Sequence, residues 1–258
     1  MLLILNYKAL KTNKYSSLFI MKKLLLIPVL ALFIPITASA QTQQDDEIRN
    51  QMDQMRQVKG QMLNRPASDV AGTPYLNGKY QTGRVIFPDN AVSQELFLNY
   101  DIYKNQVHYL ENGQLYAMSF GQIAGFMLVD PANSRKRRTF RTGEYNPKLD
   151  ITKQTPLEVI YDGENIKLYR QFNTYIYEER TYSGENITRY VNKEFVIYKD
   201  EDGEMIRTKI KKKDLLKRID KSFKKDVEKY LKQNKNSVKT DKDAVAFLSY
   251  YESLKLNN

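Results

Sequence analysis

Val107-His108-Tyr109-Leu110-Glu111-Asn112-Gly113-Gln114-Leu115-Tyr116-Ala117-Met118 decides the fold. Two short apolar runs flank Asn112-Gly113. An Asn-Gly pair accepts the positive φ angles of a two-residue turn, so this stretch reads as a tight β-hairpin. Upstream, residues 95–103 alternate with period two, placing Leu96, Leu98, Tyr100 and Ile102 on one strand face, and Lys104-Asn105 turns the chain back. Residues 84–87 form an earlier short run. Downstream, residues 126–129 read as a buried strand after a turn over 121–125, with 138–141 its candidate partner. Residues 157–161 and 166–172 flank Asp162-Gly163, and 187–198 and 205–210 flank Asp202-Gly203, giving two more hairpins. The tyrosine-rich residues 173–186 read as a loop. Many strands joined by tight turns predict an α+β fold built on an antiparallel β-meander, a partial barrel or a sandwich.

Helical periodicity appears at both ends. Ile48, Met52, Met55, Val58 and Met62 share one face of a predicted helix over 41–65, with a linker from Pro66 to Gly72. At the other end residues 214–219 predict a short helix, Asp220 a cap for the next, and Phe223, Val227, Tyr230 and Leu231 its apolar stripe. Thr240 and Asp243 form a capping box before a last helix carrying Ala244, Phe247, Leu248, Tyr251 and Leu254 on one face. The organisation is therefore an N-terminal helix and linker (41–70), a β-rich body (71–210) and a basic C-terminal helical hairpin (211–258).

Residues 21–40 have the three parts of a secretory leader: Met21-Lys22-Lys23, an apolar stretch over 24–36, and the small-residue site Ala38-Ser39-Ala40. The expectation is export to the periplasm or the medium, with Gln41 the new N-terminus. Met21 then reads as the start, and residues 1–20 as an upstream extension. The chain has no cysteine, so neither a lipid-bearing cysteine nor a disulfide is available. The formal charge of +11 is uneven: residues 207–239 hold 14 basic and 4 acidic residues. That asymmetry sets a basic arm on a mildly acidic body.

Few residues suggest chemistry. His108 is the only histidine, which removes a two-histidine metal site. Ser119 lacks the glycine that precedes a nucleophile elbow. The acidic run from Asp200 to Glu204 lacks the ligand spacing of a calcium loop. Asn186-Ile187-Thr188 matches a glycosylation triplet of little specificity. Glu95, Asp101, Glu158 and Asp162 are candidate carboxylates for a hydrolase, provided they converge in space. Tyr175, Tyr177 and Tyr182 offer aromatic surface. The basic patches are Arg135, Lys136, Arg137 and Arg138 in the body, and the arm, with Lys224, Lys225 and Lys232 the candidate anion contacts. No cofactor is expected, and export argues against nucleic acid. The predicted partner is an anionic lipid, glycan or protein of the envelope, met by a non-enzymatic binding or structural protein that does not span the membrane once its leader is cleaved. The alternatives are a carrier enclosing an apolar ligand in a curled sheet, and a hydrolase of envelope polymer.

Three sets of residues carry a family likeness: Gly72-Thr73-Pro74-Tyr75-Leu76-Asn77-Gly78-Lys79-Tyr80 with Gly83-Arg84-Val85; Leu98-Asn99-Tyr100-Asp101-Ile102-Tyr103 with Asn112-Gly113-Gln114-Leu115-Tyr116-Ala117; and Lys212-Lys213-Asp214-Leu215-Leu216, Val227-Glu228-Lys229-Tyr230-Leu231-Lys232 and Leu248-Ser249-Tyr250-Tyr251. From Gly72 to the C-terminus the chain resembles a group of secreted proteins of Bacteroidota. The resemblance implies an exported protein and transfers no catalytic residues.

Overall fold

The computed structural model describes residues 61–63, 70–130, 133–180, 182 and 184–256, with the side chains of residues 130 and 133–136 left out. The expected leader, the expected upstream extension and most of the predicted 41–65 helix lie outside the described residues. Where that helix was expected to end, Met62 instead forms an antiparallel bridge with Tyr116.

Ten strands form one antiparallel sheet that does not close. They are β1 (Gln81–Ile86), β2 (Leu96–Asp101), β3 (Gln106–Glu111), β4 (Gln114–Ser119), β5 (Gly125–Asp130), β6 (Asn133–Arg141), β7 (Leu157–Asp162), β8 (Lys167–Arg180), β9 (Asn186–Lys199) and β10 (Met205–Thr208). The order is β10-β9-β8-β7-β6-β5-β1-β2-β3-β4. Two meanders, β1–β4 and β5–β10, therefore meet where β5 pairs with β1. The β3–β4 turn is as expected: Asn112 and Gly113 take φ of 50° and 76°, the positive pair a type I′ turn needs. The expected loop over 173–186 is a correction. β8 and β9 continue through it as a paired ribbon to Arg180 and Asn186, as its alternating β-branched and aromatic residues favour.

The first six strands in spatial order from β6 to β4 coil around an aromatic core. Phe120, one residue past β4, lies 6.1 Å from Phe126 in β5. On a flat sheet those strands would stand about 19 Å apart, at ~4.8 Å per neighbour. Phe126 and Phe140 stack at 4.4 Å, and Tyr100 packs on both. Rings fill the inside of the coil.

The C-terminal half of the sheet is covered on both faces. Leu168 and Tyr198 look toward α1 (Lys212–Leu216), α2 (Lys224–Gln233) and α3 (Asp241–Leu256), against Leu215, Val227, Leu231, Phe247 and Leu248. Their neighbours Tyr169 and Ile197 look the other way, onto Ile151, Leu157 and Met205. That is period-two alternation with both faces buried. The capping box forms as expected: Asp243 N–H donates to Thr240 Oγ1 at 3.2 Å, and Thr240 N–H to Asp243 Oδ2 at 3.1 Å. Asp220 does not cap with its side chain; its carboxylate accepts the Tyr251 hydroxyl at 2.9 Å.

Glu252 latches α3 to the β7–β8 turn. Its Oε1 accepts the N–H groups of Asn165 and Ile166, each at 2.9 Å, and its Oε2 accepts the Tyr161 hydroxyl at 2.5 Å. Burial and this carboxylate push the Tyr161 pKa up to about 12. Glycine at position 163 leaves room for this latch, because a Cβ there would stand 2.1 Å from the Glu252 carboxylate and displace it.

Candidate functional site

The cationic arm folds into a surface cleft. α2 places Lys225, Lys229 and Lys232 at i, i+4 and i+7, one helical face. The chain after α2 turns at Asn234–Asn236, and Leu215 of α1 and Leu231 of α2 are buried in the same apolar cluster. Between them opens a cleft of about 580 Å³, lined by Lys212, Lys229, Lys232 and Lys235 with Glu228, Leu231, Asn236 and Ser237. Lys212 and Glu228 approach to 3.7 Å, and Glu228 is the one carboxylate in a lining that holds four lysines. Of the three arm lysines singled out from sequence, Lys232 lines this cleft, while Lys224 and Lys225 stand outside its lining. Lys212, Lys229 and Lys235 were not singled out. The spacing of Lys229 and Lys232 marks a common face, but Lys212 joins it only through the packing of α1 on α2.

The body patch does not act as a unit. Arg135 and Lys136 have side chains outside the described set. Arg137 lines a small crevice with Arg84 and Glu95. Arg138 turns inward: its Nε and Nη2 donate to Glu158 Oε1 and Oε2 at 2.7 and 3.0 Å. Its guanidinium also lies 5.4 Å from the Phe140 ring and 5.5 Å from Phe172. Glu158 accepts Arg170 Nη1 at 3.1 Å, and Arg170 continues to Asp241 at the start of α3, with Nη2 to Oδ1 at 2.6 Å. Burial opposes the Arg170 charge, but the carboxylates of Asp241, Glu158 and Glu194 outweigh it and raise its pKa. The Arg138–Glu158–Arg170–Asp241 chain ties β6, β7 and β8 to the last helix; Arg138 is thereby withdrawn from any outside anion.

The four candidate carboxylates do not converge. Glu95 precedes β2 and pairs with Arg84 at 3.6 Å. Asp101 closes β2, at least ~16 Å further along the strand at ~3.3 Å per residue, and accepts Lys104 N–H at 2.8 Å. Glu158 is engaged as above, and Asp162 pairs with Lys167. Ser119 lies opposite Gln106 in the β3–β4 register; its hydroxyl accepts from that amide at 3.5 Å. Among the described residues no group of three or more His, Asp or Glu side chains could hold a metal, and no helix is long and apolar enough to cross a membrane.

His108 is a buried strand residue, 2% exposed. Its Nδ1 lies 3.0 Å from the Tyr75 hydroxyl, and its Nε2 has no hydrogen-bond partner among the described residues. Burial, helped by the Lys104 charge, pushes its pKa down to about 4. Unfolded, it would titrate near ~6.5. Between those values the unfolded chain binds the extra proton, so stability falls as pH drops through that window. The histidine's share of the loss approaches about 3 kcal/mol below the folded pKa. Asp101 runs the other way, because burial raises its pKa and the fold takes its proton more readily than the unfolded chain. The difference between wild type and His108→Gln isolates the histidine. Urea unfolding of both from about pH 7 to pH 4 should show wild type losing stability relative to the variant. A pH-independent difference would reject a buried neutral imidazole.

No family model matches the chain, and neither a curated protein nor a solved structure matches it.

Proposed function

We propose that the protein is exported and binds an anionic component of the cell envelope, without catalysing a reaction, through the lysine-lined cleft of its C-terminal helices. The observation that carries this reading is the gathering of Lys212, Lys229, Lys232 and Lys235 around one opening. Lysines ordinarily spread over solvated surface, and like charges brought together repel unless an anion sits among them. The leader over 21–40 and the resemblance to secreted proteins support the location. The aromatic filling of the coiled sheet weighs against a carried apolar ligand, and the scattered carboxylates weigh against a hydrolase.

The test is co-sedimentation of the protein, residues 41–258, with vesicles rich in phosphatidylglycerol, compared with phosphatidylcholine alone. Near an anionic surface each lysine is worth about 1 kcal/mol. Changing all four cleft lysines to glutamine should therefore weaken binding by at least about a hundredfold. Lys224→Gln with Lys225→Gln, outside the cleft, should weaken it much less, and raised salt should weaken wild-type binding steeply. Binding that ignores salt, or that is lost equally in both variants, would reject the cleft as the contact.

A further inference from the structure

The β8–β9 ribbon outruns the sheet that carries it. β7 pairs with β8 only between Lys167 and Gln171, and β10 with β9 only between Val196 and Lys199. Beyond those limits one margin of the ribbon is capped. Ala71 N–H donates to the Thr188 carbonyl at 2.8 Å, and Tyr190 N–H donates to the Ala71 carbonyl at 3.0 Å; Tyr103 packs edge-on against Tyr190. Thr188 and Tyr190 thus turn these groups away from β8. Their opposite residues, Glu178 and Ile176, must turn their own backbone groups away from β9, because an antiparallel ladder alternates bonded and non-bonded pairs. The far margin therefore presents the N–H and C=O groups of Thr174, Ile176 and Glu178, with no described strand beside them. Asn173-Thr174-Tyr175-Ile176-Tyr177 carries no charge and no proline, the usual devices against edge pairing. Tyr175, Ile176 and Tyr177 are 38%, 37% and 48% exposed.

We propose that this edge pairs antiparallel with the same edge of a second copy of the chain, about a two-fold axis at Ile176. Charge and ladder length select the axis: centring on Tyr175 pairs only residues 172–178, because β7 occupies β8 through Gln171 and the ribbon runs to Arg180, whereas centring on Ile176 pairs residues 172–180. Centring on Glu178 would set two carboxylates face to face, and centring on Tyr177 would press Glu178 onto Ile176 twice; both arrangements are unfavourable. Centring on Ile176 sets Ile176 against itself and Tyr175 against Tyr177 twice. It leaves Glu178 opposite Thr174 and Glu179 opposite Asn173, so no like charges meet. One added strand per chain buries less than the ~1,000 Å² of a stable interface, so the pairing is weak and concentration-dependent.

The absence of cysteine makes the test clean. In the proposed pairing the two Ile176 Cα atoms stand about 5.5 Å apart, inside disulfide range. Mild oxidation of Ile176→Cys should yield disulfide dimers at least roughly tenfold in excess of those from Glu178→Cys, whose cysteines lie too far apart to bridge. Sedimentation of the wild type should show concentration-dependent association that Ile176→Lys removes. Equal cross-linking of the two cysteine variants, or a wild type that stays monomeric at every concentration, would overturn self-pairing and leave the edge to a strand of different sequence.

Discussion

Glu158→Ala is expected to lower the unfolding free energy by about 3–5 kcal/mol, the usual effect of removing one partner from a buried ion pair. The Glu158 side chain is 8% exposed, and the two guanidinium groups it holds, those of Arg138 and Arg170, are 21% and 15% exposed. Without it two cations face each other across β7. Arg138 does not swing out without loss, because its guanidinium rests against the adjoining Phe140 and Phe172 rings. Arg170 keeps Asp241, so its share of the loss is the smaller. The loss reflects stranded charge rather than an intrinsically strong bond. Replacing Arg138, Glu158 and Arg170 together by Met, Leu and Met should therefore recover most of it, as apolar substitutes for buried ion pairs often do. Urea unfolding of the single and triple variants decides. A drop below about 1 kcal/mol for Glu158→Ala would mean the network behaves as an exposed surface pair.

Gly125→Ala should destabilise by about 3 kcal/mol, the upper part of the range for overpacking. Gly125 opens β5, between Ile86 of β1 and Arg141 of β6. A Cβ there would stand 2.2 Å from the Phe140 carbonyl oxygen. That atom belongs to backbone held in a strand and cannot retreat like the tip of a side chain. Gly83, on the neighbouring strand, is equally tight, 2.3 Å from the Met127 carbonyl oxygen. Glycine thus lets β1 close on β5, the seam between the two meanders, at Gly83, and β5 close on β6 at Gly125. Gly78→Ala serves as the control, since a Cβ there meets nothing within 4 Å. Thermal unfolding should separate the two variants clearly; equal melting temperatures would show that β6 shifts to admit the methyl group.

What the sequence discloses is what short range determines. Asn112-Gly113 and Asp202-Gly203 each fix a turn through a glycine at positive φ, and Asp162-Gly163 through turn-forming residue types alone; all are local signals, so the hairpins are readable. Thr240 and Asp243 fix a helix start in the same way. The β1–β5 pairing has no such mark, because its partners are chosen by burial of the whole sheet face. The 173–186 segment gives no strand signal because its tyrosines and polar residues lack a buried face. The ribbon holds through cross-strand pairing, with Arg189 over Tyr177 and Lys193 over Tyr175. At the candidate site, Lys232 was legible as part of a basic run. The cleft was not, because Lys212 and Lys235 reach it through the packing of α1 and the turn after α2.

The seam also sets an order of events. A chain delivered amino end first completes the first four strands while one flank of β1 is still bare, and Ile86 must wait for Gly125 to arrive. Until then a half-built nucleus displays unsatisfied amides to whatever else is nearby. Joining the meanders requires closing a long loop, the slow kind of step in folding. Hydrogen exchange during refolding should therefore protect the Asn112-Gly113 hairpin well before β1 and β5.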